Sequence, residues 1–115
     1  MISSAFAQGI YFEAIDFKGK AIQVVSSGGP TVTTINADGI GPVVTLWSGE
    51  GPTSVLSGFT ITGGLALAGP YYGGGIRIEN ASPTIINNAI VGNQACNYGA
   101  GIYVGGDPLL SNLTR

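Results

Sequence analysis

Short runs of alternating apolar and polar residues recur along the chain: Ile22-Gln23-Val24, Val44-Thr45-Leu46, Phe59-Thr60-Ile61, Ile76-Arg77-Ile78 and Ile102-Tyr103-Val104. A period of two marks a strand with one buried face. Each run meets Gly, Pro, Asn or Ser within a few residues, which ends it. No window of 12 residues free of Gly and Pro carries a 3.6-residue apolar rhythm, so no helix is predicted. Few Leu, Glu, Lys or Arg and many Gly, Thr, Val and Ile point the same way. The pattern predicts an all-β chain of very short strands.

The runs are spaced as a repeat. Taking Ile22, Val44, Ile76 and Ile102 as equivalent anchors gives intervals of 22, 32 and 26 residues, and Pro30, Pro52, Pro83 and Pro108 follow them by eight, eight, seven and six. Internal repeats of this length mean stacked supersecondary units. A period near 25 residues holding several short strands suits one coil of a parallel β-helix, with about 4.8 Å between coils. Ile22, Val44, Ile76 and Ile102 are then expected as one inward column, and Val24, Leu46, Ile78 and Val104 as a second. Gln23, Thr45, Arg77 and Tyr103 are expected to face outward, flanked by Val25, Trp47, Glu79 and Gly105. A second strand aligns Val55-Leu56-Ser57 with Ile85-Ile86-Asn87, and a third aligns Phe59-Thr60-Ile61 with Ala89-Ile90-Val91. The long interval reads as a normal coil plus an inserted loop over 63–74. Asn87 and Asn112, 25 apart, are candidates for an asparagine stack beside a turn.

Composition narrows the chemistry. A chain of 115 residues with 44% hydrophobic content is one domain, 1–115, with enough apolar mass for a core. The 20 glycines serve frequent turns. There is no histidine, so Ser-His and Cys-His catalysis and His-ligated metals are excluded. Cys96 stands alone and reads as a small buried residue; no metal or other cofactor is expected. A formal net charge of −2 gives no basic footprint for nucleic acid. Met1–Gln8 lacks the basic and long apolar regions of a signal peptide, and no stretch approaches 18 apolar residues in a row. The expectation is a soluble protein, cytoplasmic by default, without membrane contact.

Gly73-Gly-Gly-Ile76, Ser82-Pro-Thr-Ile-Ile-Asn87, Ile90-Val-Gly-Asn93, Ile15–Val24 and Val55–Gly63 together carry a resemblance. On these motifs the chain resembles the right-handed parallel β-helix repeat proteins of the pectin-lyase-like superfamily, from about Ile10 onward. The resemblance implies a right-handed parallel β-helix of about four coils. Relatives are usually several hundred residues long with a capping N-terminal helix, so this chain reads as a fragment or a short relative. The motifs are packing and turn residues and say little about function.

Enzymes of that superfamily act on acidic polysaccharides. The resemblance implies, for elimination, calcium-binding aspartates with an Arg or Lys base. For hydrolysis it implies three clustered aspartates with His, Arg and Lys. Here Asp16, Asp38 and Asp107 lie in different turns, and Glu79 stands where an Arg-Ile-Lys triplet would place its lysine. Glu50 and Asp107, read as two coils apart, would stand at roughly the carboxylate spacing of an inverting glycosidase; turn acids in solvent are the simpler account. The chain is not expected to be an enzyme.

The candidate contact surface is the outward face carrying Trp47, Arg77, Glu79 and Tyr103. An exposed Trp beside Tyr, Arg and Glu on a rigid sheet is a sugar platform or, with more weight, a subunit interface. Tyr71 and Tyr72 in the inserted loop are a second contact candidate. Thr31-Val32-Thr33 and Thr60-Ile61-Thr62 are Thr-x-Thr pairs out of register with one another. Asn80-Ala81-Ser82 and Asn112-Leu113-Thr114 fit the glycosylation sequon, a pattern common by chance. A solenoid this short exposes unpaired strand edges at both ends. The expectation is a non-catalytic structural or interaction module forming a homo-oligomer through its ends or its exposed sheet face, with Tyr11, Phe12, Phe17, Leu109 and Leu110 as residues to be covered. The alternative is a carbohydrate-binding module for a polysaccharide.

Overall fold

Strands too short to stand alone gain stability only by stacking edge to edge, and this chain stacks them in strict rotation. A computed structural model describes residues 2–67, 73–96 and 99–105, with the backbone alone for 2–5. In chain order the strands are β1 (Ile2–Phe6), β2 (Gly9–Phe12), β3 (Ile15–Asp16), β4 (Ile22–Ser26), β5 (Thr33–Asn36) and β6 (Val44–Leu46). There follow β7 (Val55–Ser57), β8 (Thr60–Thr62), β9 (Leu65–Ala66), β10 (Ile76–Glu79), β11 (Thr84–Ile86), β12 (Ala89–Ile90), β13 (Gln94–Ala95) and β14 (Ile102–Gly105). The described residues contain no helix.

Every strand pairing among the described residues is parallel. Three four-stranded sheets run β1-β4-β7-β11, β2-β5-β8-β12 and β3-β6-β10-β14, and β9 pairs with β13. The chain thus visits the first, second and third sheets in turn and then returns to the first. Leu65 and Ala66, inside the expected insertion, form the small fourth sheet with Gln94 and Ala95. The rest of that segment over 68–72, including Tyr71 and Tyr72, lies outside the described residues.

Because the strands stack in register, equal side chains lie over one another. Val44, Ile76 and Ile102 form one inward column, and Leu46, Ile78 and Val104 the next. Ile15, not Ile22, continues the first column. Ile22 and Val24 belong to the first sheet, where Val24 lies against Leu56. The Ile-x-Val pattern is the same in both sheets, so alternation alone does not say which sheet a strand joins. Gln23 and Val25 accordingly leave the expected outward columns, and Asp16 takes the place beside Thr45. Phe17 follows as a core residue, 1% exposed, rather than one awaiting a partner.

Two other registers differ by one residue. Val55-Leu56-Ser57 pairs with Thr84-Ile85-Ile86, and Thr60-Ile61 with Ala89-Ile90. With Ile85 and Ile86 adjacent, sequence offers two equal anchors, and burial selects Ile85 over Leu56. The slip leaves Asn88, a polar residue, next to Phe59 at a buried corner. Its Oδ1 accepts the Phe59 N–H at 3.0 Å and its Nδ2 donates to the Leu56 carbonyl at 3.0 Å. Asn93 does the same one corner on, accepting from Gly64 N–H at 2.8 Å and donating to the Ile61 carbonyl at 3.0 Å. Asn87 adopts φ 56, the left-handed turn conformation asparagine tolerates. Its expected partner Asn112 lies outside the described residues.

The interior holds Phe17, Phe59, Ile35, Leu46, Leu56, Ile61, Ile76, Ile78 and Ile85 in one cluster fed by all three large sheets. Corner glycines set how closely the layers approach. A Cβ on Gly75 would fall 2.4 Å from the Gly101 carbonyl oxygen, far inside contact distance. Gly51, in contrast, has a negative φ and nothing within 4 Å of its position.

Three outcomes follow, all read by denaturant unfolding. Gly75→Ala costs about 1–3 kcal/mol because backbone must move, whereas Gly51→Ala is neutral or adds up to about 1 kcal/mol by restricting the unfolded chain. Asn88→Ala orphans a buried donor and a buried acceptor and costs about 2–4 kcal/mol.

Candidate functional site

The outward face of the third sheet carries the expected surface residues. Alternation along β10 turns Arg77 and Glu79 outward while Ile76 and Ile78 fill the core. Stacking then sets Thr45 and Tyr103 on either side of Arg77. Trp47, one residue past the end of β6, projects beside them. The structure therefore brings Trp47, Arg77 and Glu79 together, with Tyr103 as the next residue in Arg77's file.

Their use differs from the expectation for Arg77. The guanidinium lies 4.9 Å from the centre of the Trp47 ring, a cation-π contact, and pairs with the Glu79 carboxylate through Nε and Nη2. Arg77 is only 8% exposed. Its planar group, which stacks and donates in a fork, is better suited than lysine to this enclosed position. The turn glycine Gly73, at φ 71, folds over it so closely that a Cβ there would sit 2.7 Å from Arg77 Cβ. Gly99, at φ 65, treats Tyr103 the same way, so the Gly-x-Gly-Ile turn is reused one strand further on. Arg77 is thus an internal brace rather than a free group for ligand hydroxyls. Trp47 keeps 50% of its surface open.

Beside Arg77 lies a shallow groove of about 390 Å³ walled by Ile40, Pro42, Leu65 and Leu67. Ile40 and Leu67 are themselves exposed. This apolar corner arises where the Gly39–Pro42 turn meets β9, and no sequence signal marked it, since the pairing of β9 hides in a glycine-rich segment.

Sequence reasoning also misjudged Glu50, which is not a solvated turn acid. It is 2% exposed; Oε2 accepts the Gly19 N–H at 2.9 Å and Oε1 the Ser48 N–H at 2.8 Å. The carboxylate bolts the Lys18–Gly19 turn to the turn that follows Trp47, and its backbone carbonyl receives the Ser82 N–H at 2.7 Å. The available signal was the Ser48-Gly49-Glu50 turn, where an acid two residues on can reach back to a backbone N–H. Asp107, its suggested partner, lies outside the described residues. Asp16, at the end of β3, and Asp38, in the turn after β5, are exposed and lie apart in the chain. Among the described residues no three His, Cys, Asp or Glu side chains meet in a metal-holding group. Cys96 is exposed, not buried: it follows β13 at the rim of the small sheet.

The two Thr-x-Thr pairs do not stack on one another. Thr34 and Asn36 lie over Thr60 and Thr62, while Thr33 points into the core. The Thr60 hydroxyl donates to the Pro30 carbonyl at 2.7 Å, so it holds a turn.

Comparison of the chain with protein-family models, with curated proteins and with solved structures gave no match.

Arg77→Leu tests the brace. It strands the Glu79 carboxylate and uncovers the indole, so it costs about 1–3 kcal/mol and changes the emission of Trp47, the sole tryptophan. Both are measured in one urea titration followed by fluorescence.

Proposed function

We propose that the three large sheets are the faces of a right-handed parallel β-helix of about four coils, and that this solenoid is a non-catalytic interaction module that associates with itself. The rotation of strands among the sheets and the residue-by-residue parallel register support the solenoid reading, and right-handedness is the general rule for parallel crossovers. It is also what the resemblance to the pectin-lyase-like superfamily implies. One observation carries self-association: β1, β2 and β3 are each the outermost strand of their sheets, and Ile10 and Phe12 on β2 are 63% and 68% exposed. Open parallel edges flanked by apolar side chains favour pairing with another strand. Two of the charged groups already serve the fold: Glu50 accepts from two backbone donors, and Arg77 is engaged by Glu79 and Trp47.

A carbohydrate-binding role is the second reading, and Trp47 favours it. A half-open indole held rigid by a cation on one side, next to an apolar groove, gives a sugar ring a surface to stack on. Since Arg77 is already neutralised by Glu79, this reading suits neutral sugars better than the acidic polymers of the superfamily's enzymes.

Light scattering coupled to size exclusion at micromolar concentration tests the first reading; an assembly larger than 11.6 kDa is expected, and a strict monomer overturns it. Titration of Trp47 emission with neutral oligosaccharides tests the second. In calorimetric titration with the same oligosaccharides, Trp47→Ala is expected to leave the assembly intact and to abolish sugar binding.

A further inference from the structure

The open edge has a specific geometry. Gly9 and Glu13 donate their N–H groups toward β5, to Val32 and Asn36 carbonyls, each at 3.0 Å. Backbone groups alternate sides along a strand, so the N–H and C=O of Ile10 and Phe12 point away from β5 to the open side. Edge strands are commonly guarded by lysine, proline, inward charge or a bulge. β1 (Ile-Ser-Ser-Ala-Phe) and β2 (Gly-Ile-Tyr-Phe) contain no charge and no proline, and the two-residue β3 carries a single charge, at Asp16.

We propose that two copies join head to head, with β2 lying antiparallel on β2 of a second copy about a two-fold axis beside Tyr11. This rests on the self-association reading and adds its surface, symmetry and partner. The strand is self-complementary under that rotation. Ile10 faces Phe12 of the second copy and Phe12 faces Ile10, each pair exchanging both of its backbone hydrogen bonds. On the outer face the same pairing sets an aliphatic side chain against an aromatic one at each end, a favoured cross-strand combination. Glu13 falls opposite Gly9, so no like charges meet. Tyr11 faces Tyr11 at the non-hydrogen-bonded position on the axis.

The rotation serves the other edges too. It reverses the order of the sheets, so β1 of one copy meets β3 of the other, and the entire end is covered at once. An end face spanned by the two longer dimensions of the molecule, 33 and 27 Å, has an area of about 700 Å², near the ~800 Å² each partner gives a standard interface. A two-fold contact of this kind closes on itself and stops at the dimer.

The test uses the 115-residue chain and three variants. By light scattering the wild type is expected at twice 11.6 kDa. Phe12→Pro removes an N–H that the internal ladder does not use, and Ile10→Lys places charge on the apolar face. Each is expected to give a monomer, or at least a tenfold weaker dimer, with an unchanged circular dichroism spectrum. Tyr11→Cys in a Cys96→Ser background is expected to cross-link as a dimer on mild oxidation. An assembly that survives both edge variants and gives no cross-link through the Tyr11→Cys thiol overturns this interface while leaving self-association standing. A wild type that stays monomeric throughout the micromolar range overturns both.

Discussion

Parallel stacking satisfies backbone groups within strands and leaves them unmet at the corners, where the chain changes sheet. In a molecule whose strands are two to five residues long, corners are as numerous as strands. The corner groups therefore decide whether the stack holds. Here they are met by side chains that reach from one layer to the next. Asn88 and Asn93 each bridge a donor and an acceptor across a corner, and Glu50 collects two N–H groups from turns 31 and 2 residues away. Ser54 hands its hydroxyl to the Lys20 carbonyl and Thr84 to that of Pro52. The aliphatic columns give the stack its mass, and the polar corners fix its register.

That division explains what was legible in the sequence. Strand character, the inward columns over Val44, Ile76 and Ile102, and the outward grouping of Trp47, Arg77 and Glu79 follow from alternation and repeat spacing, which are properties of side-chain type. The placement of Ile22, the slip at Ile85 and the burial of Glu50 and exposure of Cys96 do not. Ile22 sits in a run indistinguishable from those of the third sheet. At Ile85 the deciding residue is Asn88, whose value lies in two hydrogen bonds rather than in hydropathy. A single chain read for apolar periodicity treats asparagine and glutamate as surface by default, and this fold places them inside.

The Trp47, Arg77 and Glu79 cluster shows a similar shift in meaning. Three residue types that suggest ligand recognition are found holding each other. Arg77 is outward in the sense of the sheet, yet it is roofed by Gly73 and flanked by Trp47, so its charge is engaged within the face. What remains available is the open part of the indole and the adjoining apolar corner at Ile40 and Leu67, a surface with shape and little charge.

Each strand hydrogen-bonds only to the strands immediately beside it in its own sheet, and the element-to-element contacts follow the same ladder. Cohesion is then a nearest-neighbour property, as in a stack of coins. Strands with neighbours on both sides, β4 to β8 among them, are held twice, and terminal ones once. Opening of such an array proceeds by peeling from its extremities. Amide hydrogens should consequently exchange in a graded order, slowest in the middle layers, with no single cooperative boundary separating a rigid half from a soft one.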